Sequence, residues 1–565
     1  MSAKFRAKHK FFSGAFFLAG IFVAAAPAPV QLPDAVDFWS DYPAEILAHT
    51  LVDRMTDEEL YAQILMFGWA GQEPSNLLNR WVEQRGLGSV KLFGWNTDDT
   101  LQVARSVTAL QQKAASLRFK IPLFVATDQE GGSIRHIKGA TSFTPGNLAI
   151  GASGYPADAW YSGYYIGREL RALGINMNFA PTIDVYSNRD STVIGPRSFG
   201  DNPDTSGILG AQFAAGSIAA GVIPTAKHFP GHGDTGMDSH GRLPVITVDR
   251  ATFEKRELLP FKHLIAGNVP AIMSGHLTFP NVVNDGAPAS LSRPFLTDFL
   301  RGELGFQGLI ITDDMRMNGA TVYAGSLSEA YRMAIQAGND IIISSTTATL
   351  EEPCWRANLD RLRTDLSFRE TVKKAARRVV RAKLDYFKGD NPVPVFPQIN
   401  AIPSLIPDPE GEDFFLNLAC RSITLAKAGA AFPTPPARSA RILLAGRDPA
   451  FFAAAKARYT AAAEFHIPFD FSPSLGSRLE NAATNVDTVI ICVETESDAS
   501  LAITLRDRAV RVVVVSSLSP FPALPLESWA DTILYAYSTS PYSFEAAIAA
   551  IAGDYAPQGT LPIER

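Results

Sequence analysis

Cysteine is almost missing from this chain. Three thiols, Cys354, Cys420 and Cys492, are scattered over 565 residues, without the spacing of a zinc site or a disulfide framework. An odd number leaves at least one unpaired, and all three are expected to be buried. A dominant sign of charge is missing too. The formal net charge is −6 and 19% of residues are charged, which gives no electrostatic case for a nucleic acid partner. With 46% hydrophobic residues the balance is that of a globular chain, long enough for two domains that each bury a core. The start of the chain has a different balance. Lys4, Arg6, Lys8 and Lys10 precede an apolar run over residues 11–26, then Pro27, Ala28 and Pro29. That is the positive, apolar, small-residue order of a secretory signal. The run is short for a membrane span, and no cysteine offers a lipid anchor. The expectation is a signal peptide over 1–28, cleaved near Ala26 or Ala28. Export to a bacterial periplasm or beyond follows, with no stable membrane insertion afterwards; an uncleaved anchor is the competing reading.

From about residue 45 to 388, apolar strand-like runs alternate with helical patterns. Candidate strands lie at 89–93, 122–127, 175–179, 223–226, 271–274, 308–312 and 340–344. Between them, a helix over 56–67 is expected, with Thr56 and Glu59 as a capping box ahead of Leu60, Ile64 and Phe67. A basic amphipathic helix is expected over 369–387. Strands with interposed helices over this length predict a (β/α)8 TIM-like barrel with one repeat unclear; an open doubly wound sheet is the alternative. Residues 389–412 form a Pro-rich linker. Beyond it, 413–565 reads as a smaller α/β domain with a largely parallel sheet, strands at 441–445, 488–493, 512–516 and 532–536. No glycine-rich phosphate loop follows any of them.

Four barrel strand ends carry polar clusters, which a barrel gathers at one mouth. They are Asp128-Gln129-Glu130-Gly131-Gly132; Ala180 to Asp184 with Gly195-Pro196-Arg197-Ser198-Phe199-Gly200; the stretch 227–240; and Asp313-Asp314. In 227–240, three histidines, two aspartates and Lys227 surround Pro230 and Gly231, which break any helix. Asp238 and His240 are two apart, so an extended loop puts both side chains on one side. A carboxylate beside an imidazole fixes its tautomer and suits it to general acid/base work. The bland alternative is an aspartate capping a turn. His228, His232 and His240 could be imagined around a metal, but Pro230-Gly231 removes the helical spacing, so no metal and no cofactor is expected. Of Asp313 and Asp314 only one can face the mouth, and parity does not choose between them. The other is expected to cap the helix that follows. Lys227, Arg197 and Asp128 suit a polyol pocket. Asp184 is expected to pair with an arginine, and His276 either lines the pocket or is packed.

These motifs resemble glycoside hydrolase family 3, specifically its bacterial exo-β-N-acetylglucosaminidase (β-N-acetylhexosaminidase) branch, over roughly residues 45–388. The resemblance implies Asp313 as nucleophile and His240 as acid/base with Asp238 as its partner. It implies Asp128, Arg197, Lys227 and His228 as sugar-binding residues, and a β-N-acetylglucosaminide oligosaccharide as substrate. A sibling β-glucosidase or β-xylosidase and a metal-dependent barrel hydrolase are the alternatives. One departure stands out: members usually carry an arginine eight residues after the aspartate matched by Asp128. Here His136 occupies that place, with Arg135 just before it.

Overall fold

In the computed structural model, residues 32–191, 193–236, 241–430, 432–436 and 440–564 are described. The chain divides at Val36, and the unit beginning at Asp37 carries everything below. After a helix Ala44–Asp53 comes a short one, Asp57–Gln63, started by the expected capping box: Thr56 accepts from the Glu59 N–H, and the Glu59 side chain accepts from the Thr56 N–H. The helix stops at Gln63, four residues earlier than the sequence pattern suggested. Leu65–Phe67 is instead the first barrel strand (β1), paired with strands on both sides. The repeat that was unclear in the sequence is thus this one. Three consecutive buried apolar residues fit either period, and pairing within the sheet decides.

The remaining barrel strands are β2 (Ser89–Lys91), β3 (Phe124–Thr127), β4 (Met177–Asn178), β5 (Ile223–Phe229), β6 (Ala271–Ser274), β7 (Leu309–Asp314) and β8 (Ile341–Ser344). They close in sequence order, every neighbour parallel. The open-sheet alternative is excluded. Both faces of such a sheet are covered, so its strands read as apolar runs. β5 is the longest, and its register against β6 shifts between Ala226 and Phe229. That irregularity falls on Lys227 and His228, at the end where a barrel keeps its chemistry. The long helix Leu366–Phe387 packs Val372, Val379, Val380 and Leu384 inward, with Asp365 capping its start.

A helix Pro409–Ser422 begins inside the Pro-rich stretch. It leads to a six-stranded sheet: β9 (Thr424–Lys427), β10 (Ile442–Gly446), β11 (Ala463–His466), β12 (Thr488–Val493), β13 (Arg511–Ser516) and β14 (Thr532–Tyr535). The spatial order is β9-β14-β13-β12-β10-β11, parallel except for β9. Cys354 and Cys492 are buried free thiols; Cys420 is only half-buried. A helix, Asn147–Ser153, and Tyr186 beyond β4 join the core of the six-stranded sheet: Leu148, Ala149, Ala152 and Tyr186 pack with Val489, Ile491 and Phe465. Among the described residues no helix is long and apolar enough to cross a membrane.

Candidate active site

At the mouth of the barrel, cations and carboxylates alternate. Asp128 follows β3 and lies between two lysines: Lys91 Nζ is 2.8 Å from Oδ2, and Lys227 Nζ is 2.5 Å from Oδ1. Lys227 also reaches Glu130 Oε1 at 2.6 Å, and Glu130 in turn takes a two-pronged bond from Arg197, at 2.9 and 2.7 Å. Gly131 and Gly132, at φ +93° and +57°, make the turn behind Glu130; a Cβ on Gly131 would sit 2.6 Å from Thr144 Oγ1. Buried charges on this scale are tolerable only when paired and hydrogen-bonded. Burial opposes the ionisation of Asp128, yet Lys227, Lys91 and His136 hold its carboxyl well below the usual range. Glu130 is held at about 2 against the same burial, by Arg197 and Lys227. Lys227 stays charged because Asp128 and Glu130 outweigh its burial.

A second cluster is built on Asp184, beyond β4. Its carboxylate accepts from the His228 backbone N–H at 3.2 Å, the His232 N–H at 2.7 Å and His228 Nδ1 at 2.7 Å. The expected arginine partner is absent among the described residues; a histidine takes its place. An acceptor at Nδ1 places the imidazole proton there and fixes the ring. His232 packs edge-on to His228, ring centroids 5.6 Å apart. Burial and the neighbouring His228 push its pKa down to about 4, which keeps it neutral. Further along the loop, Arg256 bridges Asp234 Oδ2 and Glu257 Oε1, each at 2.6 Å. Asp238 and His240 lie outside the described residues.

Asp313 and Asp314 end β7 and do different work. Asp314 Oδ1 accepts from the N–H groups of Arg316 and Ser345, both at 3.0 Å, so it shapes the backbone turn. The helix that follows begins only at Asn318. Asp313 takes the Asp314 N–H at 2.7 Å. Burial resists its ionisation, but His228, His276 and Lys91 hold its carboxyl below the usual range. Asp313 therefore shares His228 and Lys91 with the two clusters above. His276 is a packed residue: Nδ1 meets Ser290 Oγ at 2.7 Å and Nε2–H donates to Asp314 O at 3.0 Å.

The structure brings Asp128, Arg197, Lys227, His228 and Asp313 to one mouth. It adds three residues to which the sequence reading gave no role there. Lys91 sits in an apolar strand, where a lone lysine is itself a signal of a buried partner. Glu130 was visible only as part of a motif. His136 Nδ1 is 3.4 Å from Asp128 Oδ2, while Arg135 turns away to donate to Thr141 O at 2.6 Å and to cover the Phe143 ring. It is thus His136, and not the neighbouring Arg135, that faces Asp128. Burial, with Lys91 and Lys227 nearby, outweighs Asp128 and pushes the His136 pKa down.

The C-terminal part of the chain touches the segment that carries Arg197. Asn147 Nδ2 donates to Arg197 O at 2.7 Å from the helix Asn147–Ser153, which joins the core of the six-stranded sheet. Three residues after Arg197, Gly200 lies under the C-terminal tail, and a Cβ there would sit 2.3 Å from Pro562 O. The Asp201 N–H donates to that same carbonyl at 3.1 Å. Phe521 packs on Tyr186 with centroids 5.7 Å apart, and Arg189 covers it at 5.2 Å.

Comparison with known proteins agrees with this geometry. The family model described as the glycosyl hydrolase family 3 N-terminal domain matches residues 55–382. "Beta-hexosaminidase A" of Pseudoalteromonas piscicida is 40% identical over 283 residues, covering 47% of each chain. The chain thus spans about half the length of that relative. "Beta-hexosaminidase" of Tolumonas auensis is 37% identical over 261 residues, covering 46% of this chain and 75% of that one. Among solved structures, a glycoside hydrolase family 3 beta-N-acetylglucosaminidase from Paenibacillus sp. str. FPU-7 superimposes with a TM-score of 0.80 at 29% identity. That match covers 90% of this chain and 99% of the other. With a closed parallel barrel, paired ions at its mouth and a family match across that barrel, the chain belongs to glycoside hydrolase family 3.

Proposed function

We propose that this protein is a retaining exo-glycosidase that removes terminal β-linked N-acetylglucosamine from cell-wall muropeptide fragments or chitin oligosaccharides. The observation that carries this reading is Asp313, which ends β7 at the barrel mouth where β5 brings Lys227 and His228, and whose carboxyl His228, His276 and Lys91 hold below the usual range. Asp128, Arg197, Lys227 and His228 hold the hydroxyls of one sugar ring. Asp313 attacks the anomeric carbon, the glycosidic C–O bond breaks, and its electron pair leaves on the aglycone oxygen. That oxygen takes a proton from His240, whose ring Asp238 orients. Water then attacks the same carbon, gives its proton to His240 and frees Asp313, so two inversions restore the starting configuration. A histidine acid/base avoids the repulsion that a second carboxylate would exert on Asp313. The curated relatives named beta-hexosaminidase support the sugar, and the basic and apolar start of the chain supports export.

A panel of aryl glycosides tests the sugar. N-acetylglucosaminide is expected to be cleaved at least about tenfold faster than glucoside or xyloside, by kcat/KM; preference for glucoside sinks the reading. Substituting Ala for His240 tests the proton donor. Loss of general acid help, about 10²- to 10⁴-fold, is expected on disaccharides and should nearly vanish on aryl groups that leave without protonation. Equal losses on both contradict an acid role. The tail contact gives a third expectation. Truncation after Gly559 removes the Pro562 cover from Gly200 and should raise KM about tenfold with little change in kcat, because it loosens a binding residue and not the chemistry. An unchanged KM, with hydrogen exchange showing residues 186–201 loosened, counts against it.

A further inference from the structure

β1 and β2 end next to each other at the mouth, and each is followed by a tryptophan. Trp95 is 52% exposed, yet it is fixed on several sides. Its ring stacks on Phe93 with centroids 4.6 Å apart and planes 6° from parallel. Its Nε1–H donates to Trp69 O at 2.9 Å. The next residue, Asn96, clamps the turn by donating to Trp69 O at 3.1 Å and to Gly71 O, and by accepting from the Phe93 N–H at 3.2 Å. A large apolar surface is thus pinned open to water, where burial would be the favourable state. Phe93 connects it to the pocket: Lys91 Nζ lies 4.3 Å from the Phe93 centroid and holds Asp128. The His136 ring is 5.8 Å from Phe93.

Trp69, whose carbonyl holds the Trp95 ring, is itself buried. It is 1% exposed, and its Nε1–H has no hydrogen-bond partner among the described residues. A buried donor without a partner is costly and calls for an acceptor.

We infer that Trp95, backed by Phe93 and joined to Trp69, is a stacking platform for a second pyranose ring, the one linked to the sugar held by Asp128 and Lys227. The apolar C–H face of a pyranose suits a fixed indole held open to water. The inference rests on the proposed glycosidase reading for its choice of ligand. It makes Trp95 a specificity residue that touches substrate but takes no part in bond cleavage.

The test compares chitobiose with methyl N-acetyl-β-glucosaminide, which has no second ring. Trp95→Ala is expected to raise KM for chitobiose about tenfold, the worth of one aromatic contact, and to leave the methyl glycoside within about twofold. Trp95→Phe should restore most of the loss, which separates stacking from a folding defect. Equal losses on both substrates, or none on either, overturn the inference. A readout without turnover is the tryptophan fluorescence of the Asp313→Asn protein titrated with chitotriose. A shift that disappears in the Asp313→Asn, Trp95→Ala protein is expected, and its persistence refutes the platform. Wild-type protein that cleaves no N-acetylglucosaminide sinks the enzyme reading instead, and the fluorescence then decides the platform alone.

Discussion

Asparagine in place of Asp313 is expected to lower kcat about 10⁴-fold or more on every glycoside the protein cleaves, with KM little altered. The amide has nearly the same shape and can keep the bond from the Asp314 N–H, so the fold and the sugar pocket should survive. It lacks the electron-rich oxygen that attacks carbon, and no neighbour can substitute. Asp314 is the nearest carboxylate in sequence, but its Oδ1 is committed to two backbone N–H groups. Steady-state rates on an aryl N-acetylglucosaminide, with mass spectrometry for a trapped glycosyl-enzyme in the wild type, make the comparison. Near-normal turnover by the variant removes Asp313 from the mechanism.

The second large effect is expected at Lys227. Methionine there fills a similar volume but leaves Asp128 and Glu130 each short of one cation. Removing one partner of a buried ion cluster costs about 3–5 kcal/mol, because the charges left behind are out of water and uncompensated. That loss should appear as a lower denaturant midpoint with unchanged slope. Sugar affinity should fall as well, since the same ammonium group is the proposed partner of a sugar hydroxyl. Adding Glu130→Gln to Lys227→Met removes a charge of each sign, and the double variant is expected to recover part of the stability. Strict additivity of the two losses would mean that the groups do not act as a network.

Much of this architecture was legible in the sequence because strand ends announce themselves. Asp128-Gln129-Glu130-Gly131-Gly132, the Arg197 segment and Asp313-Asp314 each follow an apolar run, and a barrel has one face to which such ends can go. What escaped follows from the same physics. Leu65–Phe67 carries no polar residue and no alternation, so nothing separates a three-residue strand from the last turn of the helix before it. The partner of Asp184 was misassigned because charge pairing suggests arginine, whereas His228 is brought to it by the irregular end of β5. Lys91 lay in plain view within a predicted strand, but its partner Asp128 directly follows the neighbouring strand, and only the register of β2 against β3 unites them. The choice between Arg135 and His136 turned on which way a two-residue stretch points, which no periodicity encodes.

The interleaving of Lys91, Asp128, Lys227, Glu130 and Arg197 bears on the medium in which the pocket operates. Each of these ions has its counterion built in at fixed distance, and the proposed guest, a neutral sugar, brings no charge of its own. Mobile salt screens exposed charges across a Debye length but hardly reaches pairs buried this tightly. Affinity for the sugar ring should therefore be much the same in dilute buffer and in brine.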